Sequence, residues 1–269
     1  MSIKSPKQTK TTLYIIGAGP GDPDLLTIKA HKILQTAEVI LFDHLANKDL
    51  LNIADKKCKK IYVGKKPYGD YVPQEDIHAL IKYYSGQFTH IVRLKGGDPY
   101  IFGRGFEELL YAEQNGIAVQ YVPGISSMQC SGFQHIPLTY RGISEGIWML
   151  TGTNKNRKLS LDLQLAIQSS ATVIIYMGMK KLDEIAQTYI VHGKGDIPSA
   201  IIQHGTLPQQ KQIHCKVAEL PSTANQHNIN HPAIIIIGEV VGIYQAAKIV
   251  KANTLPRGVH ADCSQGQER

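Results

Sequence analysis

The densest chemistry in the chain lies in Arg93-Leu94-Lys95-Gly96-Gly97-Asp98-Pro99-Tyr100-Ile101-Phe102-Gly103-Arg104-Gly105. A strand carrying two cations ends there in a Gly-Gly turn, a carboxylate and a proline, and a helix begins near Arg104. In an open α/β sheet, ligands bind in the crevice beyond the carboxyl ends of the strands. Glycines at such a place let a ligand approach backbone amides and carbonyls, and Asp98 offers a negative group to a cation or hydroxyl. A plain βα loop can use the same residues.

A second glycine turn, Gly17-Ala18-Gly19-Pro20-Gly21-Asp22, also follows a strand and precedes a helix. The dinucleotide spacing G-x-G-x-x-G would need glycine at 22, where the chain has an aspartate that would repel a pyrophosphate. A turn that lets backbones approach closely is the better reading. The P-loop pattern is missing from the sequence. Gly142-Ile143-Ser144-Glu145-Gly146 matches G-x-S-x-G, but a nucleophile elbow stands after a strand and before a helix. Here a strand signal follows, so the match is taken as chance. Of His204, His214, Cys215, His227 and His231, only the last two histidines have ligand-like spacing, and no cysteine pair faces them. Solvated loop histidines and no metal are expected.

The elements that must position these residues follow from periodicity. Short β-branched runs at 13–16, 39–42, 61–63, 91–94 and 119–122 read as strands. Leu25, Leu26, Ile28, Ile33, Leu34 and Ala37 follow one helix face, and helical stretches lie near 75–85 and 104–115. This alternation predicts a mostly parallel α/β sheet. A turn-rich segment with Gly124, Gly132, Pro137 and Gly142 then separates it from runs at 147–150, 173–176, 200–203 and 233–237. A second α/β domain is the natural reading. Residues 210–217 alternate in the β manner right after a turn, which predicts an antiparallel hairpin partner and a mixed second sheet. The expected organisation is a flexible basic arm at 1–11, an N-terminal α/β domain at 12–122, a C-terminal one at 123–250 and a flexible tail at 251–269.

Composition bounds the function. With 269 residues, 43% of them hydrophobic and 19% charged, the chain can bury one large or two ordinary cores, which excludes disorder as its dominant state. The net charge of +7 favours anionic ligands, with nucleic acid, an acidic membrane and a polyanionic small molecule all open. Its basic clusters, Lys4, Lys7 and Lys10 and then Lys56, Lys57, Lys59 and Lys60, do not alternate with aromatics as a nucleic-acid groove would. Cys58, Cys130, Cys215 and Cys263 are widely spaced and read as free thiols in a reducing compartment. The apolar runs at 13–16 and 233–237 are too short for a signal peptide core or a membrane span, so a cytoplasmic chain is expected.

Several of these stretches, taken in order, resemble the uroporphyrinogen-III C-methyltransferases of the wider tetrapyrrole methylase family. They are the run from Gly17 to Thr27, Asp43-His44-Leu45, Val63-Gly64-Lys65-Lys66, the long segment from Arg93 to Gly105, Val122-Pro123-Gly124-Ile125-Ser126-Ser127, 132–141, Tyr176-Met177-Gly178-Met179 and 232–241. The resemblance extends from about residue 12 to residue 247. It implies two α/β domains with the active site in the cleft between them, S-adenosylmethionine as cofactor with S-adenosylhomocysteine as product, and a homodimer. The implied reaction methylates C2 and C7 of uroporphyrinogen III to give precorrin-2 for sirohaem or cobalamin synthesis. By position, Pro20, Gly96, Gly97, Asp98, Ile101, Ser126, Ser127, Met177 and Gly205 match the family's cofactor contacts. Asp43 matches its proton acceptor and Lys65 its proton donor. Arg93, Lys95, Arg104 and Arg141 are the cations in matched motifs that suit an eight-carboxylate substrate. Departures are Ser126-Ser127 where Thr-Ala is common, Phe106 for a frequent Gly and Tyr140 for a frequent His. With no dehydrogenase or ferrochelatase segment before residue 12, the stand-alone form is expected. The rivals are another precorrin C-methyltransferase of the corrin pathway and a nucleic-acid-binding or RNA-modifying protein.

Overall fold

Runs of Ile, Val and Leu that are apolar at every position suit strands covered on both faces. In the computed structural model, which describes residues 11–64 and 72–254, five strands, the central ones carrying such runs, make a first sheet. They are β1 (Thr12–Gly17), β2 (Val39–Phe42), β3 (Lys59–Tyr62), β4 (His90–Lys95) and β5 (Ala118–Val122). Their order is β3-β2-β4-β1-β5 and every pair is parallel. On one face α1 (Ile28–Gln35), capped by the Thr27 hydroxyl, packs Ala30 and Leu34 against Ile16, Ile40, Val92 and Leu94. On the other face α2 (Gln74–Ser85) and α3 (Gly105–Gln114) bring Ile77, Ile81 and Ala112 onto Leu13, Ile15, Leu41 and Ile91. Each fully buried Leu or Ile contributes about 1.5–3 kcal/mol. Exposed Lys59 and Lys60, part of the lysine run, place charge on the edge strand β3, which discourages a further strand from pairing there.

The strand order fixes where a ligand can sit. From β1 the chain crosses to β2 on one side, whereas from β4 it crosses to β5 on the other. Since β1 and β4 are neighbours, their carboxyl ends form a switch point with a crevice. The entry to β4 is held by Glu38, whose carboxylate accepts from the Thr89 amide at 2.7 Å, the Thr89 hydroxyl at 2.9 Å and the His90 amide at 2.8 Å. Partial burial raises this carboxyl, but those donors outweigh it and hold it below its usual range. Its stabilisation is therefore present above the ordinary carboxylate pKa and lost as pH falls through the depressed one. Glu38→Ala is expected to cost about 2 kcal/mol at neutral pH, a few degrees of melting temperature, and the gap from the parent protein should close as the pH falls from the ordinary carboxylate range through the depressed one. Melting curves across pH check this.

The second sheet has β6 (Ile147–Thr151), β7 (Thr172–Tyr176), β8 (Pro198–Gln203), β9 (Lys211–Lys216) and β10 (Ala233–Ile237), in the order β6-β7-β10-β8-β9. Only β6 and β7 are parallel, so the sheet is mixed, and β9 is the hairpin partner of β8. One face is covered by α4 (Leu163–Gln168), α5 (Leu182–Val191) and α6 (Leu220–Gln226). The other is covered by a 3-10 segment, Ser127–Gln134, through Cys130, and by Val240 and Val241 ahead of α7 (Ile243–Thr254). The turn-rich segment read as a link is thus partly ordered and belongs to the packing of this sheet. The architecture is α/β with two domains.

Three further expectations meet the structure here. Thr11, counted with the arm, donates its hydroxyl to the Ser85 and Phe88 carbonyls, and α7 runs through Lys251 to Thr254. The rest of the arm and tail lie outside the described residues. Ser144 is 2% exposed and shares a 2.9 Å hydrogen bond with the Thr172 hydroxyl, so it pins a turn to the start of β7. No helix among the described residues is long and apolar enough to cross a membrane.

Candidate functional site

The two glycine turns singled out in the sequence meet at the switch point. The Gly97 amide donates to the Gly19 carbonyl at 2.7 Å, and the reverse bond is 3.3 Å. Gly124, just after β5, is the third member of this contact: a Cβ on it would lie 2.2 Å from the Gly97 oxygen, and a Cβ on Gly17 would lie 2.5 Å from Gly124 Cα. Gly96 closes on Leu45 in the same way, its notional Cβ 2.4 Å from the leucine Cβ. The glycines are required because backbone approaches backbone.

Asp98 is buried and fixes this arrangement. Its Oδ1 accepts from the Tyr100 amide at 2.9 Å, and its Oδ2 from the Tyr121 hydroxyl at 2.6 Å and the Gly124 amide at 3.1 Å. Burial and then this bond push the Tyr121 hydroxyl strongly up, so it stays a donor. The Tyr100 ring stacks on Tyr121 with centroids 4.0 Å apart. The carboxylate expected to face a ligand thus spends its described hydrogen bonds on joining the β4 and β5 loops. Ile101 follows, half-buried, its amide bonded to the Asp98 carbonyl.

The second domain closes over these turns at two places. The Asp22 amide donates to the Thr206 hydroxyl at 2.9 Å, and Gly21 lies so near that a Cβ would meet Leu207 Cγ at 2.7 Å. Pro20 sits half-buried beside this contact. At the end of β7 the Tyr176 hydroxyl shares a 2.7 Å bond with Ser126 Oγ and accepts from the Met128 amide at 3.2 Å, while Phe102 packs on the Tyr176 ring. Ser127, half-buried, starts the 3-10 segment, and Gly205 lets Cys130 approach, since a Cβ there would be 2.6 Å from its sulfur. Cys130 therefore packs against Gly205, and burial raises its thiol to about 11.

Left-handed backbone clusters around the same cleft. Phe102 (φ 51°), Arg104 (58°), Met177 (55°), His204 (51°) and Thr206 (67°) all adopt it without being glycine. Each such residue costs about 1 kcal/mol or more, and strain of this kind collects at ligand sites. Met177 is also 51% exposed, an apolar side chain turned to the outside beside the cleft contacts. Burial, then the nearby His44 and His231, hold His204 below its ordinary range, so histidines from both domains come near one another.

The cations divide. Arg93 and Lys95 are 2% and 5% exposed, and both pair with Glu108 of α3 rather than standing open to a ligand. Arg93 also donates to the Leu94 carbonyl at 2.9 Å and reaches Asp43 Oδ2 at 3.5 Å. This corrects the picture of two free carboxylate clamps: strand alternation points both side chains into the face covered by α2 and α3. Arg104 is exposed and paired with Glu107. Arg141 is exposed, in a turn anchored through Ser144 to the start of β7, the strand end away from Tyr176 and Met177. Lys65 lies outside the described residues.

Asp43, at the end of β2, has a 23% exposed side chain. Its Oδ1 accepts from the Leu45 and Ala46 amides at 3.1 and 3.3 Å, so it caps the following turn, while Oδ2 faces Arg93. Sequence reading missed Glu108, Thr206 and the Tyr176 hydroxyl as members of the site. For Glu108 a signal existed, because Gly105, Glu108 and Ala112 form the buried stripe of α3 and a carboxylate there needs a partner.

The family model for the Tetrapyrrole (Corrin/Porphyrin) Methylases matches residues 12–221. Among curated proteins, the chain is 39% identical over 236 residues to a siroheme synthase of Acinetobacter baylyi, covering 87% of this chain and 52% of that protein. It is 40% identical to one of Hydrogenovibrio crunogenus, covering 86% and 49%. It thus spans about half the length of the curated relatives it matches. Among solved structures, a uroporphyrin-III C-methyl transferase of Thermus thermophilus complexed with S-adenyl homocysteine superposes with a TM-score of 0.75 at 35% identity, covering 86% of this chain and 99% of that one. A cobalt precorrin-4 methyltransferase superposes at 0.77 with 24% identity, covering 88% and 99%, a likeness of fold.

Proposed function

The chain belongs to the tetrapyrrole (corrin/porphyrin) methylases, and on that premise we propose that it is an S-adenosylmethionine-dependent C-methyltransferase that converts uroporphyrinogen III to precorrin-2. What supports the substrate over other tetrapyrroles is the 35% identity to a uroporphyrin-III enzyme across 99% of that chain. What supports the cofactor is the match to a uroporphyrin-III enzyme complexed with S-adenyl homocysteine, together with the crevice at the switch point, where Met177 stands exposed at the rim. Pro20, Gly96, Gly97, Ile101, Ser126, Ser127, Met177 and Gly205 would hold S-adenosylmethionine, with Asp98 fixing the loops that do so. The cofactor supplies a methyl group already activated on a sulfonium, so the protein need only align an electron-rich pyrrole carbon with it.

Attack by that carbon leaves positive charge on the macrocycle, and rearrangement of its double bonds releases one proton for each methyl gained. Asp43 takes that proton through Oδ2, since Oδ1 is held by two backbone amides. Arg104 meets a substrate carboxylate at the exposed surface, whereas Arg141 stands at the opposite end of β7 from the cleft. Lys65 matches the family's proton donor, and a proton it gives the tautomerising macrocycle is lost from it again, so the net release stays at one per methyl. The same reading carries a homodimer, which sedimentation would test.

The deciding experiment is an anaerobic incubation with S-adenosylmethionine and enzymatically made uroporphyrinogen III, read by mass and absorption. A gain of two methyl groups with a precorrin-2 spectrum is expected. No gain with cofactor binding intact would move the substrate to another tetrapyrrole. Tyr176→Phe removes the hydroxyl shared by Ser126 and Met128, and is expected to weaken cofactor binding about tenfold by calorimetry with little change in fold.

A further inference from the structure

Glu108 is fully buried, yet its two oxygens are treated very differently. Oε1 accepts from Gln74 Nε2 at 3.1 Å, Arg93 Nε at 3.2 Å and Lys95 Nζ at 3.0 Å. Oε2 is buried without a hydrogen-bond partner. A buried carboxylate carrying an unsatisfied oxygen is costly, and burial alone would raise it, but Arg93 and Lys95 outweigh that and keep it below the usual range. Lys95 in turn is lowered by burial first and then by Arg93. One carboxylate therefore sits between two buried cations, and the second anion near them is Asp43, whose Oδ2 lies 3.5 Å from Arg93.

We infer that Glu108 is a positioning residue for the reaction: by holding Arg93 through Nε and Lys95 through Nζ, it keeps the guanidinium from closing on Asp43 beyond a single 3.5 Å contact and leaves the outer carboxylate oxygen lone pairs for a proton. The inference rests on reading Asp43 as the proton acceptor. Two buried cations seek a counter-ion. With Glu108 neutral, Asp43 is the remaining one, and Arg93 closes on it. A tight ion pair makes a carboxylate a poorer base. With Lys95 removed, Glu108 has Arg93 to itself and draws it further from Asp43.

The surroundings leave the two variants clean. Facing Asp43 are Arg93 and Lys95 from β4 and Tyr62 from β3, with His44 next in the chain. Facing Glu108 from α2 is Gln74, whose amide also meets His78, itself stacked on Tyr111 and near Glu107. On its own helix the neighbouring Glu107 pairs with Arg104. Glu108→Gln alters none of these, and Lys95→Met alters only Lys95, whose own charge acts on Asp43 in the same direction as the expected shift.

The test titrates the Asp43 carboxyl carbon by NMR in the full chain, assigned with Asp43→Asn, and records the pH profile of turnover beside it. In Glu108→Gln the Asp43 midpoint and the acid limb of kcat are expected to fall by about one pH unit or more, with KM for S-adenosylmethionine unchanged. In Lys95→Met both are expected to rise, and Glu108→Asp, which keeps the charge, is expected to return the profile toward the parent. A structural role alone would lower the melting temperature and leave the midpoint where it was, which overturns the inference, as would shifts of the same sign in both variants. If Glu108→Gln does not fold, Lys95→Met decides: an unmoved or lowered midpoint overturns the proposal. Opposite NMR shifts together with full turnover in Asp43→Asn would uphold the contact network and remove Asp43 from the chemistry.

Discussion

Asp43→Asn should lower methyl transfer by about 10²–10⁴-fold while cofactor affinity stays at its parent value. The substitution is nearly isosteric, and the asparagine oxygen can still accept from the Leu45 and Ala46 amides, so the turn after β2 survives. What changes is the outer atom. Where Oδ2 faced Arg93 and, on the proposed reading, took the proton, an amide NH2 now points toward a guanidinium, which removes both the proposed base and a negative charge that would stabilise a cationic macrocycle. Single-turnover transfer with calorimetry of cofactor binding checks this. Unchanged turnover would leave Asp43 as a turn cap only, and Asp43→Ala would then matter solely through stability.

Gly124→Ala should be the most damaging change of a single methyl group in the molecule. The new Cβ would be 2.2 Å from the Gly97 oxygen and 2.7 Å from Gly17 Cα, and all of these are backbone atoms of neighbouring strand ends. No rotamer can relieve such a contact, so the β1, β4 and β5 loops must part. A loss of about 3 kcal/mol is expected, roughly 6–12 °C in melting temperature, with cofactor binding lost as well. Gly132→Ala is the control, because nothing lies within 4 Å of its Cβ position. Equal melting temperatures for the two variants would refute the close-packing account.

Much of this was legible from residue order. Alternating apolar runs and helical stripes marked the first sheet, and the turn before 210–217 marked the hairpin that makes the second one mixed. The first glycine turn stood out because its spacing served no dinucleotide motif, and the second because a strand with two cations runs there into Gly-Gly, a carboxylate and a proline. Strand order was not legible, since βαβ alternation is compatible with several orders, and it is the order that brings Gly19 beside Gly97. None of the second domain's helices was placed from the sequence: α4 and α6, 6 and 7 residues long, show less than two turns of apolar stripe, and the longer α5 and α7 are overshadowed by the β-branched strand runs beside them, which are the stronger signal. Arg93 and Lys95 looked like open cations because alternation shows that they share a face but not that α2 and α3 cover it. Their partner Glu108 lies one helix later in the chain, and nothing local pairs them.

The left-handed residues around the cleft bear on how this protein would respond to selection. At Phe102, Arg104, Met177, His204 and Thr206 the backbone sits where glycine would be at ease. Directed evolution for heat tolerance alone would find its gain at Met177 first, because glycine there relieves a conformational penalty borne by an exposed side chain, whereas at Phe102 and Thr206 it would also delete the packing on Tyr176 and the bond from the Asp22 amide. The same replacements would strip the rim of its side chains. Robustness and the proposed activity therefore pull apart at the rim, and a screen that scores only survival would drift toward a protein that endures heat with its cleft stripped of Met177.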